Sequence, residues 1–351
     1  LKVKRYPLVS ICVPNYNYGE YLEYCLDSIL NQTYPNIEVL FRDNQSTDNS
    51  YEIALSYRDK FRDKGFYYNV SQNKKNIGSD GNSNYLSRDI EGEYIFFLAS
   101  DDAIEPTFIE KCIRVFDENP SVAMVMVHRS EIDEFGNIHQ LPPFYNQNCV
   151  VDGESQAAVF MMAGIAIPGQ RMQRASMLNP IKKYKRIFNV AGDWYNNFLA
   201  AMCGDVAYIK EPLCQYRVHT GNETNESEKN LLGIFEHYQL IHAFCDISKQ
   251  FGMSKPAERY HEAVEKLGSM CLRYALKMYK CGEKEAAVRY LFLAPALKRN
   301  IVEDERYAIL MNMERYIGLD LKREIEEFEK KFNLNRTISY NPPENYRLLD
   351  I

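Results

Sequence analysis

Several features that would assign this 351-residue chain to other protein classes are missing from its sequence. The nine cysteines include no C-x-x-C pair, which argues against a zinc site or a disulfide framework and favours reduced thiols in a cytosol. No apolar run approaches the roughly 18 residues of a membrane helix, and no apolar signal segment follows the basic N-terminus. We therefore expect a cytoplasmic protein.

Excess positive charge is also missing. The formal net charge is −6 and the sequence pI is near 5.7, which argues against DNA or RNA as a partner. The first predicted strand is followed by no glycine-rich phosphate loop and no G-x-G-x-x-G motif, so the sequence disfavours a nucleotidyltransferase and a dinucleotide oxidoreductase. The hydrophobic content of 46% is that of a globular protein long enough for two domains.

Predicted strands and helices alternate through the first 130 residues. Strands are predicted at 9–13, 37–41, 66–70, 94–98 and 122–127, and helices at 20–30, 48–57, 79–88 and 107–118, with Thr47 or Asp48 capping the second helix. This alternation predicts an α/β fold with a mainly parallel, doubly wound sheet flanked by helices. Ligands of such sheets bind at the carboxyl ends of the strands.

Polar side chains follow three of these strands. A carboxylate pair at a strand end is costly unless a cation lies on it, and a divalent metal that carries a phosphate group is the commonest solution. We therefore predict a nucleotide-sugar site, although Asp101 or Asp102 could also cap the helix that begins near Thr107. The polar clusters are Asn15-Tyr16-Asn17, Asp43-Asn44 and Ser100-Asp101-Asp102.

The regular alternation stops after residue 127. Residues 129–150 are predicted to form a hairpin or long loop with its turn at 133–137, and residues 164–169 to form a lid or an acceptor loop. A helix is predicted to open at 192–195, and strand pieces at 206–209 and 213–218 lead to His219. Amphipathic helices are predicted at 231–249, 256–280, 284–297, 303–316 and 320–331, followed by a polar tail. We expect a first domain at 1–226 and a helical second domain at 227–351 for packing, dimerisation or partner docking.

Seven short motifs in this order resemble the inverting glycosyltransferases of family 2, which have the GT-A fold. The resemblance covers roughly the first 225 residues, and it implies a nucleotide-diphosphate-sugar donor, most often a UDP-sugar, and a glycan or lipid-linked acceptor. The motifs are Val13-Pro14-Asn15-Tyr16-Asn17, Gln32-Thr33-Tyr34-Pro35, Asp43-Asn44-Gln45-Ser46-Thr47-Asp48, Asn76-Ile77-Gly78, Ser100-Asp101-Asp102, Gly192-Asp193-Trp194 and Tyr216-Arg217-Val218-His219-Thr220-Gly221-Asn222.

The resemblance also implies roles for individual residues. Asp43 is expected to accept the N3–H of uracil, Asp102 and His219 to bind Mn²⁺ or Mg²⁺, and Asp193 to act as general base. The sequence departs from the family pattern at four positions. The family often has an acid where this chain has Asn44, Ala99 and Gly192, and it often has a glycine where this chain has Gln45. The remaining expected nucleotide contacts are Pro14, Asn15, Tyr16, Asn17, Asn76, Gly78, Ser100, Asp101 and Arg217.

Simpler interpretations compete with these roles. Without the resemblance, Asp193 would be interpreted as a helix N-cap and His219 as a surface histidine at a strand end. If Asp193 is not the base, the next candidates are Asp152, Glu154 and His128. The basic segment at 182–186 is interpreted either as a solvated surface or as a contact for an anionic or lipid-linked acceptor at the inner face of the membrane. The whole chain could also be a non-catalytic carbohydrate-binding protein that retains the fold.

Overall fold

The computed structural model describes residues 6–162, 171–181, 184, 191–219, 228–332 and 339–351. Its first part alternates strands and helices as the hydrophobic pattern predicts. Apolar residues of these strands and of most of the helices form a shared core that includes Val9, Leu26 and Phe108. Leu86 packs with Cys12 and Leu40 in a separate small cluster. The elements are β1 (Val9–Asn15), α1 (Gly19–Leu30), β2 (Ile37–Asp43), α2 (Ser50–Ser56), α3 (Arg58–Lys64), β3 (Tyr67–Gln72), α4 (Gly78–Leu86), β4 (Tyr94–Phe97), β5 (Ala103–Ile104) and α5 (Phe108–Glu118).

The middle of the chain departs from this alternation. Strand β6 continues to Asp133 and turns back through residues 134–137 into β7, so the hairpin predicted for 129–150 begins with a longer strand than expected. The two strand pieces predicted before His219 form one strand with a register shift near Pro212. The elements are β6 (Val122–Asp133), β7 (Ile138–His139), β8 (Cys149–Val151), α6 (Gly153–Phe160), β9 (Arg171–Arg174), a 3-10 helix (Ala175–Ile181), α7 (Gly192–Ala201) and β10 (Asp205–Val218).

The sheet is mainly parallel at its centre, as predicted. Strand β1 pairs in parallel with β2 and with β4, and β2 pairs in parallel with β3. Strand β9 is inserted antiparallel between β4 and β6, and β10 lies parallel to β6 on its other side. The carboxyl ends of β1, β2 and β4 therefore lie at one edge of the sheet, which is where the polar clusters follow them in the sequence.

The helices near the C-terminus pack onto the sheet domain. Phe244 of the first long helix stacks on Phe198 of α7, with ring centroids 3.8 Å apart, and both belong to a core cluster shared by the two parts of the chain. The predicted boundary near residue 226 lies outside the described residues and stays a prediction. The elements are α8 (Leu232–Gln250), α9 (Lys255–Glu258), α10 (Tyr260–Lys280), α11 (Lys284–Leu297), a second 3-10 helix (Arg299–Glu303), α12 (Glu305–Met313) and α13 (Gly318–Phe332).

The described end of the polar tail, residues 339–351, lies against the sheet domain. Its last residues return to the sheet, where β11 (Arg347–Leu348) pairs antiparallel with β8. Arg347 contacts Asp205 at 2.9 Å, and the partly buried Leu349 packs against the core of the strand-rich part. The tail thus covers the outer edge of β8. Among the described residues, no helix is long and apolar enough to cross a lipid bilayer.

Candidate active site

The three polar strand ends meet as predicted. Asn15 and Asp43 are register partners on β1 and β2, and the Asn15 Nδ2 donates to Asp43 Oδ1 at 3.0 Å. Strand β4 leads directly into residues 99–102, and the Leu98 amide donates to the carbonyl of Cys12 on β1. The parallel register therefore places the end of β1 between the other two polar clusters.

Asp43 is fully buried and forms the centre of this cluster. Its Oδ1 accepts from Asn15 Nδ2 at 3.0 Å and Ser46 Oγ at 2.5 Å, and its Oδ2 accepts from the Ser46 amide at 2.9 Å and Gln72 Nε2 at 3.0 Å. The carboxylate thus holds the ends of three strands and the loop after β2 together. Because Gln72 is exposed, its amide is the partner that a bound base could displace.

Asn44 stands where the resemblance leads one to expect an acid, and the structure gives it a purely internal set of partners. Its Nδ2 donates to Asn76 Oδ1 at 2.9 Å and to the Gly78 carbonyl at 3.2 Å. Its Oδ1 accepts from Asn73 Nδ2 at 2.9 Å and the Ile77 amide at 3.0 Å. Asn44 is thereby satisfied, and it fixes the predicted nucleotide-contact residues Asn76 and Gly78 next to Asp43.

The loop after β1 is tied to the loop after β2. Asn17 has a φ of 57°, a conformation that Asn tolerates better than most residues, and its amide donates to Ser46 Oγ at 2.9 Å. The Thr47 amide donates to Asn17 Oδ1 at 2.7 Å. Tyr16 is exposed beside these contacts, so its ring is accessible as a wall for a planar ligand, whereas Pro14 is the half-buried β1 partner of Arg42.

Asp48 holds the N-termini of two helices. Its Oδ2 accepts from the Gly19 amide at 2.9 Å, and its Oδ1 accepts from the Ser50 amide at 3.0 Å and from Ser50 Oγ at 2.6 Å. Burial alone would raise the pKa of Asp48, but these hydrogen bonds lower it below its usual value. Thr47 does not cap α2, whose N-cap residue is Asn49.

Asp101 and Asp102 make contacts with different residues at the end of β10. His219 Nε2 lies 3.2 Å from Asp101 Oδ2, and both side chains are nearly buried. Asp102 faces strand β10 instead, and its Oδ1 accepts from the Arg217 amide at 2.9 Å. Pairing of the two-residue strand β5 with Gln215 and its neighbour brings this loop to the end of β10. Asp101, rather than Asp102, is therefore the carboxylate beside His219.

The two adjacent carboxylates are electrostatically unfavourable in the absence of a cation. Burial raises the pKa of Asp102 well above its usual range, the charge of Asp101 raises it further, and the Arg217 amide opposes the shift. Arg217 is buried and donates through Nε to the Asp101 carbonyl at 2.9 Å. Its guanidinium thus lies within the site, as expected for a diphosphate contact, while also holding the loop.

Two buried polar atoms at the site make no hydrogen bond to the described residues. They are Ser100 Oγ and Asn15 Oδ1. Buried polar atoms are almost always paired in native proteins, so atoms of this kind at a strand edge fit a site that is completed by a ligand. Within the described part of the chain, no group of three or more His, Cys, Asp or Glu side chains is arranged to hold a metal ion.

Three tyrosines in or just before α1, spaced by three residues, also line the site. Their presence there was not predicted from the sequence. The hydrophobic pattern assigns Tyr21 to the apolar core face of the helix, but its ring lies 5.1 Å from that of His219, and the Arg217 guanidinium stacks on it at 4.5 Å. Tyr18 contacts His219 edge-on at 5.6 Å, and Tyr24 donates to Gln215 Oε1 at 2.6 Å. The three-residue spacing was the available signal, because it places side chains on one helix face.

Asp193 lies at the same edge of the sheet through its contact with β9. Strand β9 runs antiparallel to both of its neighbours. Its residue Arg171 pairs with Met126 of β6, and on the β4 side it lies past Ile95, near the end of that strand. Arg171 Nη2 donates to Asp193 Oδ1 at 3.0 Å. The Asp193 side chain is 75% exposed and therefore accessible to a substrate. Its N-cap interpretation is wrong, because Ala191 is the N-cap residue and Asp193 lies inside the first turn of α7.

The alternative base candidates have structural partners. Asp152 caps α6 by accepting from the Ser155 amide at 2.9 Å, and Glu154 accepts from the amides of Ser254 and Lys255. His128 is buried, with Nε2 2.9 Å from the Leu141 carbonyl. The predicted lid at 164–169 and most of the basic segment at 182–186 lie outside the described residues.

The sequence model of the family described as Glycosyl transferase family 2 matches residues 10–178, which span the strand ends and the β9 strand described above. Residues 10–178 carry a glycosyltransferase family 2 domain. The resemblance inferred from the seven motifs is thereby confirmed, and so is the assignment of this domain to an enzyme class, the glycosyltransferases. The matched segment includes the expected nucleotide contacts other than Arg217, and it ends before Asp193 and His219.

Curated relatives of this glycosyltransferase domain include polysaccharide synthases. The chain is 39% identical over 136 residues to a chondroitin synthase from Escherichia coli, covering 39% of this chain and 19% of that protein. It is 24% identical over 359 residues to a chondroitin synthase from Pasteurella multocida, covering 95% of this chain and 35% of that protein. The chain thus spans about a fifth and about a third of the length of these two relatives.

Solved structures of glycosyltransferases share the fold. Staphylococcus aureus TarS residues 1–349 in complex with UDP-GlcNAc aligns with a TM-score of 0.53 at 18% identity, covering 98% of this chain and 99% of that chain. The mannosyltransferase PcManGT from Pyrobaculum calidifontis, in complex with GDP-Man and Mn²⁺, aligns with a TM-score of 0.53 at 15% identity, covering 95% and 88% of the two chains. The predicted GT-A fold followed by a helical region is confirmed.

Proposed function

We propose that this glycosyltransferase transfers a sugar, with inversion, from a nucleotide diphosphate sugar to a hydroxyl group of a glycan or lipid-linked acceptor. The observation that carries the proposal is the meeting of three groups at one edge of the sheet: the Asp43 cluster, the Asp101–His219 pair and the Arg171-bound Asp193. These groups correspond to a base pocket, a diphosphate site and a proton acceptor.

The donor proposed is a UDP-sugar. Asp43 Oδ2 can accept the N3–H of uracil once Gln72 moves, and the exposed Tyr16 offers an aromatic wall. Asn15 lies next to Asp43, and its Oδ1 is buried without a partner among the described residues. This oxygen can accept a hydrogen bond from the nucleotide. The UDP-GlcNAc complex of TarS supports this choice. The GDP-Man complex of PcManGT makes a GDP-sugar the alternative donor.

The residues at the strand edge fit a divalent metal. Mg²⁺ and Mn²⁺ accept carboxylate, imidazole and phosphate oxygen ligands, and sites that use the substrate's phosphates need only one or two protein ligands. We propose Asp101 and His219 as those ligands, with Asp102 as the residue that orders the loop against β10, which revises the role expected for Asp102 from the sequence. When bound, the metal supplies positive charge that stabilises the departing diphosphate.

Asp193 is proposed as the general base. In a single displacement, the acceptor oxygen forms a bond to the anomeric carbon while the bond from that carbon to the phosphate oxygen breaks. The acceptor's proton passes to the Asp193 carboxylate, and the nucleoside diphosphate leaves. Arg171 orients this carboxylate through Oδ1 at 3.0 Å, and its high exposure lets an acceptor hydroxyl approach it from solvent.

The acceptor is proposed to be a growing glycan, because two relatives of the chain are named chondroitin synthases. We also propose that the enzyme acts in the cytoplasm or at the inner face of the membrane, where lipid-linked acceptors are exposed. The helices beyond residue 227 are proposed to serve packing, dimerisation or partner docking.

Release of UDP from a panel of UDP-sugars tests the proposal against the alternative of a non-catalytic carbohydrate-binding protein. We expect turnover that requires Mn²⁺ or Mg²⁺ and an acceptor. We expect Asp193→Asn to lower kcat roughly 10²- to 10⁴-fold while UDP binding and Tm stay nearly unchanged. Full activity in Asp193→Asn would falsify the assignment of the base, and UDP binding without turnover of any sugar donor would favour the non-catalytic alternative.

A further inference from the structure

An aromatic side chain is strongly exposed at the tip of the β6–β7 hairpin, residues 133–139, which we call the tip hairpin. Phe135 is 82% exposed, and the neighbouring Ile138 is also exposed. Single exposed hydrophobic residues are common, but this one projects from a hairpin attached to the candidate active site. We propose that the tip hairpin binds a neutral pyranose ring of the acceptor glycan through Phe135, an inference that rests on the proposed function and names part of its acceptor site.

The strand neighbours of the hairpin place it beside the reacting groups. Strand β6 lies between β9, whose Arg171 holds Asp193, and β10, which is followed by His219. Asp133, the last residue of β6, is in register with Val218, and its carbonyl accepts from Arg217 Nη1 at 3.2 Å. The tip hairpin therefore borders the His219 end of the proposed site, and an acceptor glycan that extends from Asp193 towards that end can contact it.

The hairpin presents Phe135 on a rigid support. Asp133 Oδ1 accepts from the amides of Phe135 at 3.0 Å and Asn137 at 2.8 Å, and Asn137 Nδ2 donates to Oδ2 at 3.0 Å. Gly136 has a φ of 87°, which an L side chain would strain. Hydrogen bonds from Asn137 lower the pKa of Asp133 to about 2, so this arrangement persists throughout the physiological pH range. A backbone that is already ordered lowers the ordering cost of binding a ligand through Phe135.

The charge around Phe135 indicates which kind of sugar fits. The face of an aromatic ring is electron-rich, and the C–H groups on one face of a pyranose are weakly positive, so the two surfaces attract each other. Glu134 is exposed next to Phe135, and the Asp133 carboxylate lies in the same turn. An acidic neighbourhood repels a uronic acid. A hexose or an N-acetylhexosamine is therefore the ring class expected at the tip hairpin.

Direct glycan binding tests this proposal in the full chain. The probes are oligosaccharides with a neutral or a uronic acid residue at the non-reducing end, beginning with unsulfated chondroitin oligosaccharides of both kinds, in the presence of UDP and Mn²⁺. We expect the wild-type protein to bind those with a neutral end, and Phe135→Ala to weaken that binding about three- to tenfold. Phe135→Trp should restore it. Phe292→Ala removes a ring that is 68% exposed on α11 and serves as the matched control, with binding unchanged.

Each remaining outcome contradicts the proposal in a different way. Unchanged glycan binding in Phe135→Ala, with UDP affinity intact, overturns the role of the tip hairpin and leaves the proposed function standing. If the wild-type protein binds oligosaccharides with a uronic acid at the non-reducing end more tightly, the assignment of a neutral ring to the tip hairpin is wrong. Weaker binding of Phe135→Ala to phosphatidylglycerol vesicles, with glycan binding unchanged, would assign the residue to a lipid surface instead. Absence of UDP binding in the wild-type protein overturns the proposed function and the acceptor site together.

Discussion

The two neighbouring carboxylates after β4 offer the sharpest test of the site, because the structure gives them different tasks. Asp102 is buried, and its Oδ1 accepts a backbone amide of β10 at 2.9 Å. An asparagine oxygen can accept the same hydrogen bond without the charge. Asp101 faces His219 at 3.2 Å, and the metal role proposed for it needs the charge. The substitutions Asp101→Asn and Asp102→Asn should therefore have opposite consequences.

The sign of the expected effect follows from the raised pKa of Asp102, which burial and then the charge of Asp101 produce. In the metal-free protein, the folded form binds more protons than the unfolded chain between the usual and the raised pKa, so this carboxyl costs stability as pH rises through that window. A tenfold difference in proton affinity between the folded and unfolded states corresponds to about 1.4 kcal/mol. We expect Asp102→Asn to raise the free energy of unfolding at pH 8, and we expect this gain to disappear near pH 4.

Two measurements on the same variants separate the roles. Thermal or urea unfolding in chelator, from pH 4 to pH 8, should show the pH-dependent gain of Asp102→Asn. Calorimetry should show that Asp101→Asn binds UDP in the presence of Mn²⁺ about tenfold or more weaker than the wild-type protein, a difference of about 1.4 kcal/mol. Asp102→Asn should keep most of the UDP affinity that depends on Mn²⁺. Loss of the Mn²⁺ dependence in Asp102→Asn and its retention in Asp101→Asn would refute the assignment made from the structure.

Three further predictions address other parts of the molecule. Arg171→Gln should lower kcat about tenfold and leave UDP binding intact, because Asp193 loses its partner at 3.0 Å, and unchanged kcat would contradict that positioning role. Burial lowers the pKa of His237 to about 4, so the folded state excludes a proton that the unfolded chain binds below pH 6.5. Between pH 6.5 and 4, the free energy of unfolding should therefore fall by about 3 kcal/mol more in the wild-type protein than in His237→Gln. Equal decreases in the two proteins would show that His237 is not the cause. Removal of residues 346–351 should expose the edge of β8 and promote association seen in light scattering, whereas a monodisperse truncated protein would show that this strand edge is protected otherwise.

The sequence determined the architecture of the first domain and the identity of the site's edge. Hydrophobic runs that alternate with amphipathic helices require a parallel sheet, because each strand must be buried on both faces and each helix on one. The strand ends then bring Asn15, Asp43 and Asp101 together without any further information. The tight loop around Asp48 was also readable, since a carboxylate before a helix satisfies its first amides, although it proved to hold two helices rather than one.

Tertiary structure alone decided how the second half of the chain completes the site. Strand β9 comes from a segment with no alternating pattern, and its insertion between β4 and β6 is what brings Arg171 and Asp193 to the sheet edge. The identity of the carboxylate beside His219 depended on the pairing of β5 with β10, a contact between residues more than 100 positions apart.

The polar tail shows the same limit. Its composition predicts exposure, yet β8 presents unpaired backbone groups that a short, even polar, strand can satisfy through its main chain. Tyr21 likewise fits an apolar helix face by spacing, and only the arrival of His219 and Arg217 from β10 makes it part of the site. Local pattern specifies which elements form, but contacts between distant segments depend on register and main-chain pairing, which carry no signal in residue type.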